Sequence, residues 1–127
     1  MLTGHCECGS VAFTVARVQS HPSACHCSQC RRLSGHIWSG TSVAHDDLTF
    51  TSDSNLKWYR SSDHAQRGFC GTCGSSLFYK PDGADHVSVA TGSFDTPTGL
   101  KLRRHIFVAD KGDYYDIADD APQFENY

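Results

Sequence analysis

Seven cysteines, gathered in three short clusters, are the residues of this chain best suited to chemistry. The clusters are Cys6/Cys8 (C-x-C), Cys25/Cys27/Cys30 (C-x-C-x-x-C) and Cys70/Cys73 (C-x-x-C). Spacings this short let several thiolates converge on one ion, and a tetrahedron of thiolates suits Zn²⁺. The chain is therefore predicted to bind zinc.

Two partitions of the seven thiols are open. In the first, Cys6, Cys8, Cys70 and Cys73 close a structural zinc site, while Cys25, Cys27 and Cys30 hold a second zinc with one position free. In the second, the two C-x-x-C pairs form a zinc ribbon, and the other three cysteines have no role. Spacing alone favours the first partition, because it uses every thiol, without excluding the second.

An open three-cysteine site predicts a specific chemistry. A substrate thiol that enters as fourth ligand loses its proton, which yields a thiolate nucleophile near neutral pH. Four thiolates around one Zn²⁺ carry net negative charge, so Arg31 and Arg32, which follow Cys30, are expected to balance it or to hold a substrate carboxylate. His36 is predicted to be either a general acid for the developing alkoxide or, more commonly for such a residue, a half-exposed structural histidine.

Other polar and aromatic residues receive structural interpretations. His26 lies between two predicted ligands, so its side chain is expected to point away and to pack or hydrogen-bond behind them. Trp38, Trp58 and Tyr59 are expected in the core. Two interpretations are open for Arg103, Arg104 and His105: they form a small anion site, or they are the charged end of a strand, which is the commoner case. The aspartates from 110 to 120 suggest a solvated acidic tail.

Size and composition fit a single domain over residues 1–127. Only 39% of residues are hydrophobic, so a metal ion that cross-links distant segments would help to stabilise a modest core. The net charge of -3 and the pI near 6.2 do not point to nucleic acid. No stretch approaches the roughly 20 apolar residues of a membrane span, and no signal peptide is expected. We therefore predict a cytoplasmic protein, a compartment where disulfides rarely persist.

The elements that must position the cysteines are mostly strands. Alternating and β-branched runs predict strands, and turn residues separate them. One short helix is predicted over Ser28–Ser34, with Ser28 as N-cap and Gly35 just past its end. The predicted strands are Val11–Val15, Ile37–Val43, Leu48–Thr51, Leu56–Arg60, Gln66–Phe69, Ser76–Tyr79, His86–Thr91 and His105–Val108.

Three segments together resemble a known family. They are Gly4-His5-Cys6-Glu7-Cys8-Gly9-Ser10-Val11, Cys25-His26-Cys27-Ser28-Gln29-Cys30-Arg31-Arg32-Leu33-Ser34-Gly35 and Phe69-Cys70-Gly71-Thr72-Cys73-Gly74-Ser75. In this order they are similar to the glutathione-dependent formaldehyde-activating enzyme family, also called the centromere-protein-V/GFA domain, over about Leu2 to Phe124.

The resemblance implies a mainly β, Mss4-like β-tent, with small antiparallel sheets folded around zinc. It also implies the first partition, with Cys25, Cys27 and Cys30 as ligands of the catalytic zinc. The family's named activity joins glutathione and formaldehyde to give S-(hydroxymethyl)glutathione, and is classed as a carbon–sulfur lyase for the reverse direction. We expect a monomer or homodimer that acts on a small thiol and a small aldehyde, with a non-catalytic zinc-stabilised binding module as the alternative.

Overall fold

The structure is a computed structural model that describes residues 1–127 and consists mainly of strands. Three short 3₁₀ turns cover His45–Asp47, Thr91–Ser93 and Val108–Asp110, and one α-helix, α1, covers Ser28–Ser34. The strands are Leu2–His5 (β1), Ala12–Val15 (β2), Ser23–Cys25 (β3), Trp38–Ala44 (β4), Leu48–Ser52 (β5), Leu56–Ser62 (β6), Ala65–Cys70 (β7), Ser76–Pro81 (β8), His86–Ala90 (β9) and Arg104–Ile106 (β10).

Two sheets enclose the core. The smaller has the order β1-β2-β5 and is antiparallel; the larger has seven strands in the order β10-β3-β4-β9-β8-β7-β6. Phe13 of β2 and Phe78 of β8 meet edge to face, with ring centroids 5.3 Å apart, and both are fully buried. This contact joins the two sheets at the centre of the core.

The larger sheet presents two different faces. On β4, Thr41 and Val43 are completely buried in the core, whereas Gly40 and Ser42 lie on the opposite face and are partly exposed. On β9, Val87 and Val89 face the core in the same alternation. Because successive side chains of a strand point to opposite faces, the second face of this sheet is left free to line a cavity.

The mainly β fold with small sheets and one short helix is confirmed. The helix bounds agree with the prediction, and Gly35 ends the helix at φ 86° with its N–H bonded to the Arg31 carbonyl. The predicted N-cap, Ser28, is wrong. Cys27 is the cap, because it has extended backbone angles and its sulfur accepts the N–H of Cys30 at 3.2 Å.

Other differences have clear physical causes. Sequence reasoning missed the short strands β1 and β3, and it did not anticipate that β10 pairs with β3 in parallel. Trp38 is buried as predicted, but Trp58 and Tyr59 are 40% and 54% exposed, so their expected place in the core is wrong. They lie on β6, which is an edge strand with β7 as its one neighbour.

None of the helices has the length and apolar character needed to cross a bilayer.

Candidate functional site

Four cysteines from two distant segments form one cluster, here called the thiol quartet: Cys6, Cys8, Cys70 and Cys73. Their sulfur atoms all lie within 4.8 Å of one another. The Cys6–Cys8 and Cys8–Cys70 sulfur distances are 3.7 and 3.8 Å. An ion held tetrahedrally at Zn–S distances of about 2.3 Å would separate its sulfurs by about 3.8 Å. The quartet therefore fits a closed, four-coordinate zinc ion.

Hydrogen-bond donors surround the quartet. The Ser10 hydroxyl lies 3.2 Å from the sulfurs of both Cys8 and Cys70. Backbone N–H groups of Thr72 and Cys73 each donate to Cys70 at 3.4 Å, within the turn that Gly74 completes at φ 82°. Donors of this kind orient thiolate ligands and stabilise their charge.

These donors also change the acidity of the quartet. Hydrogen bonding from Ser10, followed by the backbone N–H of Cys73, lowers the pKa of Cys70 to about 5. Hydrogen bonding from the Ser75 hydroxyl is the main cause that lowers the pKa of Cys73 to about 7. Since the thiolate is the form that binds metal, these hydrogen bonds favour metal binding by Cys70 and Cys73.

The other three cysteines form the thiol trio: Cys25, Cys27 and Cys30. Cys25 ends β3, Cys27 caps α1, and Cys30 is buried one turn into that helix. Their sulfurs also lie within 4.8 Å of one another, and no fourth His, Cys, Asp or Glu completes the group. The structure thus separates the thiols into four and three, as the first partition predicts.

The thiols of the trio differ in acidity. A hydrogen bond from Cys25, and secondly the positive charge of Arg67, lower the pKa of Cys30 to about 6. The same bond to Cys30, together with burial, raises the pKa of Cys25. The three thiols of the trio therefore do not ionise equally readily.

A cavity of about 1050 Å³ opens over the trio. All three trio cysteines line it, and none of the quartet does. Its floor is the free face of the seven-stranded sheet, where Trp38 and Gly40 of β4 lie next to Ser88 of β9. Small-molecule sites usually measure roughly 300–1,000 Å³, so a ligand as large as a tripeptide can enter beside the trio.

The cavity lining is cationic although the chain carries a net charge of -3. Three arginines contribute to it, Arg67, Arg103 and Arg104, together with three histidines. Asp110 is the only acidic residue among the lining groups. A cavity with this charge balance favours an anionic ligand.

Arg67 is the cation nearest to the trio. Its Nη2 donates to the Cys30 sulfur at 3.4 Å, and its Nε donates to Gln29 at 3.0 Å. The guanidinium lies 5.7 Å from the Trp38 ring centroid and 4.9 Å from that of Tyr79, and the residue is only 7% exposed. Its Nη1 is buried without a hydrogen-bond partner. Arg67 is thus a fixed positive charge beside the open side of the trio.

The arginines and the histidine predicted to act at the open zinc site lie outside the cavity, whereas Arg103 and Arg104 of the candidate anion site line it. Arg31 is partly buried, Arg32 is exposed, and neither lines the cavity. His36 is also outside the cavity; it is exposed, lies 3.3 Å from the Tyr114 hydroxyl and packs on the Tyr115 ring. Their predicted roles stay predictions. The sequence reasoning missed Arg67. The one signal in the sequence is a charged residue three positions before Cys70, within a predicted strand.

A chain of hydrogen bonds, buried at its centre, starts from His26 between two cysteines of the trio. His26 Nδ1 lies 2.5 Å from the Tyr115 hydroxyl, and its Nε2 lies 2.9 Å from His105 Nδ1. His105 Nε2 is in turn 2.9 Å from Asp119. With Asp119 ionised, one arrangement of protons satisfies every bond. His105 Nε2 donates to Asp119, His26 Nε2 donates to His105 Nδ1, and the Tyr115 hydroxyl donates to His26 Nδ1. His26 therefore points away from the trio as predicted, whereas the acidic tail is anchored by Asp119 and is not simply solvated.

Comparisons with known proteins agree on one family. A family model described as glutathione-dependent formaldehyde-activating enzyme matches residues 1–110. A lyase of Schizosaccharomyces pombe that is itself uncharacterized is 25% identical over 126 residues, which cover 95% of this chain and 88% of that protein. A Halomonas elongata protein, provisionally named glutathione-dependent formaldehyde-activating enzyme, is 25% identical over 127 residues, with 92% and 81% of the two chains covered.

A solved structure shares the fold. The crystal structure of a Rhodobacter sphaeroides protein is similar with a TM-score of 0.63 at 24% identity. The match covers 95% of this chain and 98% of that chain. At this identity the likeness establishes the common architecture, and the chemistry must be argued from the site.

Proposed function

Because the chain belongs to the glutathione-dependent formaldehyde-activating enzyme family, we propose that it is a zinc-dependent carbon–sulfur lyase-type enzyme. Its proposed reaction joins a small thiol to a small aldehyde, or splits their adduct. Glutathione and formaldehyde, which give S-(hydroxymethyl)glutathione, are the proposed pair. One observation carries this proposal: the incomplete thiol trio lines a large cationic cavity, whereas the complete quartet does not.

The two thiol clusters fit two different uses of zinc. The quartet, with four sulfurs and surrounding donors, suits a structural ion. The trio, with three sulfurs and access from the cavity, suits an ion that keeps one position for substrate. Such an ion, when bound, supplies Lewis-acid chemistry that lowers the pKa of an incoming thiol.

The chain's own residues then have defined tasks. Arg67 offsets the negative charge that accumulates when a fourth thiolate approaches Cys30. The Trp38 and Tyr79 rings hold its guanidinium in place. In the forward direction, the substrate sulfur forms a bond to the aldehyde carbon, and the carbonyl electron pair moves to oxygen. We propose that solvent, which reaches the trio through the cavity, accepts the thiol proton and delivers one to that oxygen.

The test combines rate and spectroscopy. Exchange between glutathione, formaldehyde and their adduct is measured by NMR with the zinc-loaded protein, and the visible spectrum of cobalt-loaded protein is recorded with and without glutathione. We expect faster exchange and a changed cobalt spectrum. The matched control is Cys27→Ser, which should lose both effects. If the wild-type protein neither accelerates exchange nor changes its spectrum, the proposal fails and the non-catalytic binding module is favoured.

A further inference from the structure

The cavity contains a second fixed arginine, away from the trio. We propose that Arg104 is the carboxylate-binding residue of this cavity and makes the protein selective for thiols that carry a carboxylate one residue from the sulfur. This inference deepens the proposed function and rests on it for the identity of the reacting thiol. Its own evidence is the strand register, the partners of Arg104 and its free hydrogen-bond donors.

The strand register places Arg104 at a set distance from the trio. β10 pairs in parallel with β3, so that Ile106 lies beside Cys25 and Arg104 lies beside Ser23. Residues two apart on a strand share a face, and all four of these residues line the cavity. Two residues correspond to roughly 7 Å along the strands. Arg104 therefore lies on the same cavity wall as Cys25, one repeat farther along.

The protein orients the Arg104 side chain but leaves two of its donor groups without a partner. Its Nε donates to the Ser23 hydroxyl at 3.1 Å. Its guanidinium carbon lies 5.7 Å from the Phe124 ring centroid and 4.8 Å from that of Tyr127. Its Nη1 and Nη2 bond to no other group of the chain, and the residue is partly exposed. The two Nη groups are thus oriented donors, suited to accept a carboxylate in a bidentate pair.

The distance matches a peptide thiol. Two extended residues span at most roughly 7 Å, so a sulfur at the trio can place the carboxylate of the next residue near Arg104. Glutathione has such a carboxylate on its glycine, whereas cysteamine has none. The neighbouring Arg103 also lines the cavity and adds a positive charge, but its side chain makes no hydrogen bond or ion pair that would orient it.

The residues that hold Arg104 come from the end of the chain. Phe124 and Tyr127 lie beyond residues 1–110, the part that the family model matches. Backbone bonds dock this segment on β10: the Phe124 N–H donates to the His105 carbonyl at 2.9 Å, and the Val108 N–H donates to the Phe124 carbonyl at 3.0 Å. The carboxylate selectivity is therefore a feature that this chain's C-terminal segment helps to build.

Calorimetric titration with S-methylglutathione tests the inference. Its blocked sulfur cannot ionise, so binding through the carboxylates is separated from thiol activation. Loss of a charge-assisted hydrogen bond predicts that Arg104→Gln weakens binding by about tenfold to a hundredfold. Tyr127→Ala, which removes one ring from the guanidinium, should weaken it by about twofold to fivefold. The control is Lys101→Gln. It also removes one positive charge, from a residue three positions before Arg104 that does not line the cavity, so it should leave binding unchanged.

A second ligand identifies the carboxylate. The glycine monoethyl ester of S-methylglutathione should bind wild type as weakly as Arg104→Gln binds the free acid, with little further loss when the two changes are combined. Unchanged binding of S-methylglutathione by a folded Arg104→Gln protein would overturn the inference, as would no measurable binding by wild type. Arg104-dependent binding without accelerated glutathione–formaldehyde exchange would support the subsite and contradict only the proposed function.

Discussion

The two thiol clusters should respond very differently to loss of one sulfur. Cys70→Ser breaks the quartet, which joins the segment after β1 to a turn 62 residues farther along the chain. Cys70 is fully buried in the core cluster with Phe13 and Phe78. A structural zinc contributes an apparent binding free energy of roughly 10–16 kcal/mol, and a whole domain is stable by only about 5–15 kcal/mol. Cys70→Ser is therefore expected to prevent stable folding.

Cys27→Ser should instead leave the protein folded. The trio lies at the cavity, outside the core cluster, and the quartet remains intact. Serine can still cap α1 in place of the Cys27 sulfur that accepts the Cys30 N–H. The cap difference costs about 1 kcal/mol or less of the free energy of unfolding, or about 4 °C in Tm. Loss of the trio's ion lowers Tm further, because a bound metal stabilises the folded state.

Metal content and thermal unfolding of freshly purified protein measure this contrast. We expect two zinc ions per wild-type chain, one in Cys27→Ser with a single cooperative transition at a lower temperature than wild type, and an insoluble or unfolded Cys70→Ser protein. If Cys27→Ser lost all metal and unfolded, or if Cys70→Ser kept a stable fold, the division into a structural quartet and an open trio would be wrong.

Three further predictions concern residues around the cavity. Arg67→Met should lower kcat/KM by about tenfold to a hundredfold because it removes a charged hydrogen bond to Cys30. Arg67→Lys should recover part of the loss. Equal activity of wild type, Arg67→Met and Arg67→Lys would contradict the role of this charge. Burial lowers the pKa of His26 below its ordinary value of 6.5, so at acid pH the unfolded chain binds more protons than the folded chain. The free energy of unfolding should then fall as pH drops below about 6.5, and urea titrations should show a shallower fall for His26→Gln. Gly40→Ala would place a methyl group 2.6 Å from the Trp38 ring, so the ring must shift. The variant should change tryptophan fluorescence and weaken S-methylglutathione binding. An unchanged spectrum and affinity would show that the ring does not lie on the cavity floor.

The local features of this protein were predictable from its sequence. C-x-C and C-x-x-C spacings bring the sulfurs within each motif together through a few covalent bonds, so three motifs suited to a metal ion follow from residue order. The short helix is determined equally locally, by the residues at its two ends, although the cap is Cys27 and not Ser28. Most strands were visible as alternating runs, because side chains of a half-buried sheet alternate between faces.

The tertiary structure decided what surrounds those sulfurs. Arg67 reaches Cys30 across 37 positions of sequence, and Arg104 reaches the cavity because β10 pairs with β3 in parallel. The same strand order leaves Trp58 exposed on an edge that its sequence pattern cannot identify. Spacing keeps the thiols of one motif close together, since neighbouring residues cannot move far apart, but the tertiary structure decides that Cys6 and Cys8 meet Cys70 and Cys73. Which arginines face that ion depends on strand order and register, which are set by packing of the whole chain.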